Sequence, residues 1–113
     1  MDKQEIEFND FQKIDIRVGT VVKAEINKKA HKPAYILEVD FGEDIGLKKS
    51  SAQVTNYSLD ELKGRKIIAV CNFPKKNIAG IESEVLILGA INKLGKVVLL
   101  KPDEEVENGD HIA

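Results

Sequence analysis

The run "DIRVGTVVKAEI", Asp15 to Ile26, alternates with a period of two: Ile16, Val18, Thr20, Val22, Ala24 and Ile26 fall on one side, and Asp15, Arg17, Lys23 and Glu25 mostly on the other. A helix repeats every 3.6 residues and would scatter these apolar positions around its circumference, whereas a strand sends them to one face. The segment is therefore read as a long strand with its apolar face on a core. Gly19, inside it, is the expected site of a bulge or bend.

The same reading extends along the chain. "AYILEVDF" places Tyr35, Leu37, Val39 and Phe41 on the core side and Glu38 and Asp40 on the wet side. The following "GED" is turn chemistry, so this second strand should form a hairpin with a third strand, "IGLKKSSAQV". "YSLDELKGRK" has Ser58 as a cap, Glu61 three residues later and Gly64 as a stop, which predicts a helix of one to two turns. "FNDFQKID" predicts a short helical turn with Asn9 as its cap and Phe8 and Phe11 on one face. "KIIAVCNF" and "SEVLILGAI" are aliphatic throughout, as in strands covered on both sides, and Pro74 to Gly80 reads as a basic loop between them. "NKLGK" turns into a last apolar segment, "VVLLKP", and the tail turns again at Asn108-Gly109.

Five or so short strands, a long bent first strand, and a helix between the third and fourth fit an all-β fold. The expected form is a Greek-key barrel of the oligonucleotide/oligosaccharide-binding (OB-fold) type, with short helices and extra C-terminal strands. A β-sandwich is the alternative, but it wants more strands and no interposed helix. The 113 residues suffice for one domain, 1–113, with no repeat and no linker. A hydrophobic fraction of 42% and a charged fraction of 32% are those of an ordered globular chain. No stretch approaches the ~20 apolar residues of a membrane span, and the polar, acidic start lacks the form of a signal peptide, so no membrane insertion and a cytoplasmic location are expected.

The chemistry-bearing inventory is thin. Cys71 is the single cysteine and sits in an apolar strand, which rules out an internal disulfide and favours a packing role. His31 and His111 are far apart, so no metal site is expected. No catalytic constellation and no cofactor motif is present, and a non-enzyme is expected. Net charge is −2, but it is unevenly spread: residues 28–80 hold 10 basic and 6 acidic side chains, against 4 and 6 before them and 3 and 7 after. The middle of the chain is a basic island.

Three segments, "DIRVGTVVKAE", "AYILEVDFG" and "NFPKKNIAGIESEVLILGA", resemble the tRNA-binding domain family over nearly the whole chain. More narrowly, "GLKKSSAQVTNYSLDELKGRKIIAVCNFP" and "IESEVLILG" look like its CsaA-type protein-export chaperone branch. The resemblance implies a homodimer built by the terminal elements. It also implies binding of unfolded preproteins or peptides without ATP, or, as in other members, of structured tRNA.

Three candidate segments follow. Lys75, Lys76 and Asn77 stand where members of this branch often carry a pair of arginines, and fewer fork-shaped donors weaken phosphate recognition. Ser83 and Glu84 match a Ser-Glu pair on the family's tRNA-contacting surface. Here Val85 and Leu86 replace the glycine and methionine that follow it, which suits apolar peptide side chains. The plainer reading of Ser83-Glu84 is backbone satisfaction where a strand opens. Lys48, Lys49, Ser50 and Gln53 would complete a polar groove along the third strand. Tyr57 lies nearby, but Tyr35 and Phe41 are expected in the core, so base stacking is poorly supplied. Asp15 and Arg17 are expected to serve a structural ion pair with neighbours rather than a site. The groove is thus expected to hold polypeptide, with tRNA as the alternative ligand and a scaffolding role as a third.

Overall fold

The computed structural model describes residues 2–113. The chain runs α1 (Phe8–Gln12), β1 (Ile16–Ile26), β2 (Tyr35–Asp40), β3 (Leu47–Ala52), α2 (Leu59–Leu62), β4 (Lys66–Val70), β5 (Lys76–Ile78), β6 (Ile81–Ser83), β7 (Leu86–Ile87), β8 (Gly89–Ile91) and β9 (Val97–Leu99). Five strands form one antiparallel sheet in the order β3-β2-β1-β4-β7, curled into a nearly closed barrel. β1 serves both halves: residues 16–20 pair with β4 and residues 20–26 with β2.

The barrel encloses Val21, Leu37, Val39, Phe41, Val54, Leu62, Ile67, Ala69, Val85 and Leu99. The alternation of β2 is as expected, with Leu37, Val39 and Phe41 at the centre. In β1 the alternation breaks. Val21 pairs with Val39 and Lys23 with Glu38, so Val22 is the extra residue of a bulge. Val21 therefore takes the core position expected of Val22, which is 46% exposed, and Ile26 is also exposed at the strand end. Gly19, expected to be the bulge, is in register opposite Ile67. It is small for a different reason: a Cβ there would lie 2.6 Å from Val39 and 2.8 Å from Phe41.

Helix α2 is capped as expected, with Ser58 Oγ accepting from the Glu61 amide (3.1 Å) and the Glu61 carboxylate accepting from the Ser58 amide (2.9 Å). Helix α1 begins two residues earlier than expected. Glu7, not Asn9, is its cap residue, and the Asp10 carboxylate accepts the Glu7 amide proton at 3.0 Å. Its Phe8 and Phe11 rings do share one face, 6.2 Å apart.

Two further differences lie after β4. The segment expected as a basic loop folds as the β5–β6 hairpin, with Ile78 paired to Ile81 across Ala79-Gly80. Both turn residues have positive φ, 49° and 86°, the mark of a type I′ turn whose twist matches the strands. "SEVLILGAI" is not one buried strand either. β7 closes against β4 and β8 leaves to pair with β9, because Leu88 donates to Ile68 and then accepts from Leu100. Leu86, Ile91, Leu94, Val98 and Leu100 are exposed.

The tail crosses β1 where β2 has left it. Val18 donates to Asp110, Gly109 to Val18 and Ile112 to Ile16. Asp15 and Arg17 pair with each other, Arg17 Nε to Asp15 Oδ1 at 2.7 Å, and Arg17 also donates to the Gly109 carbonyl.

Candidate functional site

The site lies where the β5–β6 hairpin folds over β3. Strand β3 is the edge of the sheet, and an edge strand leaves every second backbone N–H and C=O unpaired. The barrel covers these groups largely with side chains rather than a continuous ladder. The Ser83 hydroxyl accepts from the Ser51 amide (3.2 Å), the Glu84 carboxylate accepts from the Lys49 amide (2.9 Å), and the Glu84 amide donates to the Lys49 carbonyl (2.8 Å). Buried Ser50 adds a hydroxyl donated to the Val85 carbonyl at 3.0 Å. Ser50, Ser83 and Glu84 thus hold the seam of the barrel, which agrees with the plainer sequence reading of the Ser-Glu pair.

Five of the candidate residues meet in one cleft. Lys75, Lys76, Ser83, Glu84 and Leu86 line a cavity of about 540 Å³, together with Phe73, Pro74, Ile78 and Val85. Phe73 and Leu86 are about half exposed, 52% and 50%, so an apolar ligand would gain by covering them. Lys75 reaches Glu84 at 3.5 Å and Glu82 at 3.8 Å, and its charge is locally balanced. The cleft is consequently more apolar than its two lysines suggest.

The others are placed elsewhere. Lys49 faces a second cleft beside Leu47, Glu38, Glu82 and Glu84. Gln53 belongs to a third, of about 760 Å³, walled by Lys29, His31 and Lys32. Asn77 serves the hairpin turn, its side-chain oxygen accepting from the Gly80 amide at 3.3 Å. Lys48 is half-buried and lines none of these clefts. The sequence reading passed over Phe73, Pro74 and Ile78; a phenylalanine beside a proline, outside any alternating run, was the available signal.

Aromatic stacking surfaces are few. Phe41 is buried, Tyr35 donates its hydroxyl to the Tyr57 carbonyl, and the Tyr57 hydroxyl accepts from the Leu99 amide. The Arg65 guanidinium covers the Tyr57 ring at 4.9 Å. Cys71 packs against the core, and burial, then the Asp15 charge, pushes its thiol up to about 11. That thiol is protonated near neutral pH, the form that is neither nucleophile nor metal ligand.

Together these features define a class: a small OB-type barrel with an open, partly apolar groove on its third strand. Comparison with known proteins agrees. The family model "Putative tRNA binding domain" matches residues 16–111. Over 96% of this chain and 100% of its own, the CsaA chaperone protein of Picrophilus torridus is 58% identical with a TM-score of 0.92. The CsaA chaperone of Bacillus anthracis is 49% identical with a TM-score of 0.91, covering 97% of this chain and 100% of its own. The methionine–tRNA ligase of Archaeoglobus fulgidus is 39% identical over 97% of this chain, which spans only 16% of that ligase. The chain belongs to the tRNA-binding domain family, in its CsaA-type branch.

Proposed function

We propose that this protein is a nucleotide-independent chaperone that holds unfolded preproteins or other non-native polypeptide in the cleft between Phe73 and Leu86, acting in the cytoplasm as a homodimer. The observation that carries the reading is the cleft itself. Phe73, Ile78 and Leu86 offer apolar surface around about 540 Å³, and Lys75 is tied to Glu82 and Glu84 instead of being free for a phosphate. The name of the CsaA relatives points the same way. The dimer has a physical motive in the exposed Ile91, Leu94, Val98 and Leu100 of the β8–β9 hairpin, an apolar patch that a second copy would cover.

The test is suppression of light scattering from a denatured client diluted into buffer without nucleotide. Leu86→Asp should lose most of the protection while sedimentation shows an unchanged assembly. Full protection by that variant would remove the cleft from the mechanism.

A second reading, structure-specific tRNA binding, is supported by the family description and by the lysines at 28–32. It predicts affinity that falls steeply with salt, as each neutralised phosphate releases counterions. A flat salt response with total tRNA would remove it.

A further inference from the structure

The largest of the three clefts carries charge on its rim, and that charge is not balanced. It lies between the loop 27–34, the end of β3 and the β5–β6 turn, and Lys29, His31, Lys32, Ser51 and Gln53 line it with no carboxylate. A neighbouring depression shares Lys32 and Gln53 and adds Lys96, again with no carboxylate. Among the described residues none of Lys29, Lys32 and Lys96 has an acidic partner within salt-bridge distance. The acidic cleft beyond Glu84 differs. Glu82 and Glu84 are met by Lys75, Glu84 also accepts the Lys49 amide proton, and Glu38 stands cross-strand from Lys49.

The loop carrying these lysines is held in place. Buried Asn27 donates its backbone N–H to the Ala34 carbonyl, its side-chain oxygen accepts from the Lys29 amide, and Ala30 donates to the Asn27 carbonyl. The Lys29 stem lies against Gly80, where a Cβ would approach it to 2.8 Å. The basic cleft therefore has walls fixed on both sides. It also adjoins the apolar cleft, because Ile78 lines both.

We propose that the groove is bipartite and selects polypeptide segments in which an apolar run is followed closely by acidic side chains. The apolar residues occupy the Phe73–Leu86 cleft and the carboxylates cross Ile78 to Lys29 and Lys32. A cavity of 540 Å³ is about 8 Å across, so two to three apolar residues of extended chain, at about 3.3 Å each, bring the next carboxylate to the basic cleft. The occupant is polypeptide rather than RNA because the basic cleft adjoins an apolar one at Ile78 and because Phe73 is the one exposed ring beside them. The inference rests on the polypeptide reading above and adds client choice to it.

The experiment measures binding of three fluorescent peptides to the intact protein by anisotropy. All share one apolar core, and the flank is Asp-Glu, Ser-Gln or Lys-Arg. The acidic flank should bind about fivefold tighter than the neutral one at low salt and about twofold tighter near physiological salt, as partly exposed charge pairs do. The Lys29→Glu/Lys32→Glu variant, at exposed positions that leave the fold intact, should reverse the order of the acidic and basic peptides. Equal binding of all three peptides would overturn the bipartite groove and leave the polypeptide reading standing. Binding of none would overturn both. A single-stranded RNA dodecamer serves as competitor: RNA binding abolished by the charge reversal, with the peptide order unchanged, would assign the basic cleft to phosphate and overturn the proposal.

Discussion

Removing two of the three side chains that hold the barrel seam, Ser83 and Glu84, should loosen it without disturbing the core. In Ser83→Ala the half-buried Ser51 amide loses its 3.2 Å partner, a change worth about 1 kcal/mol. In Glu84→Ala the Lys49 amide loses a 2.9 Å charge-assisted partner, about 1 to 1.5 kcal/mol. The Lys75 pair, at 3.5 Å with the lysine mostly exposed, adds at most a few tenths of a kcal/mol. The double variant should therefore be about 2 kcal/mol less stable in denaturant titrations, about a 10 °C loss in Tm for a domain of this size. The effect should also be local. Amide exchange at Lys49 and Ser51 should accelerate more than exchange at Leu37, which is fully buried in β2 and paired to Ala24 on one side and Ser50 on the other. A double variant within about 0.5 kcal/mol of the parent, with Lys49 and Ser51 still protected, would refute the assignment of the seam to these side chains.

Other consequences follow from single positions. Gly19→Ala pushes a methyl against Val39 and Phe41 and should cost about 1 to 3 kcal/mol by chemical denaturation. Ala79→Gly should stabilise the hairpin by up to about 1 kcal/mol, since Ala79 holds φ at 49°, and Ala79→Val should do the opposite. Cys71, with its thiol raised from 9.0 to about 11, should react with iodoacetamide at pH 7 roughly a hundredfold more slowly than an ordinary exposed cysteine; a rate profile with a midpoint near 8.5 would contradict this. The Ser58 amide and hydroxyl hold the Glu61 carboxylate below its ordinary range, so the folded pKa is the lower one. Its contribution is present above the unfolded value and is lost as pH falls through the folded one, and Glu61→Gln should flatten that part of the stability profile.

The barrel was legible in the sequence because its signals are local and repeated. Alternation in β2, the capping box at Ser58 and Glu61, and the turn before Gly109 each specify structure within a few residues. What the sequence hid is non-local. The register of β1 is decided by which neighbour takes Val21, and alternation alone cannot distinguish a bulge at Val22 from one at Gly19. The β5–β6 hairpin was hidden by its turn, since Ala-Gly is a weak signal beside Asn-Gly. For the candidate site, polar residues marked the right region, but the cleft wall is Phe73, Pro74 and Ile78, which chain order keeps apart from Leu86. Ser50 reads as groove lining because it follows two lysines and precedes another serine; cross-barrel closure buries it.

The tail that crosses β1 has a consequence for how the chain comes to fold. The Arg17 guanidinium meets the Gly109 carbonyl across 92 residues, and Thr20 meets Asn108 across 88. Such pairings close loops spanning nearly the whole polypeptide, which makes them late and slow to form. On the ribosome β1 is made well before residues 109–112, and one edge of its opening half has no partner until they emerge. A protein whose relatives are named chaperones thus carries an unprotected strand edge of its own until residues 109–112 emerge.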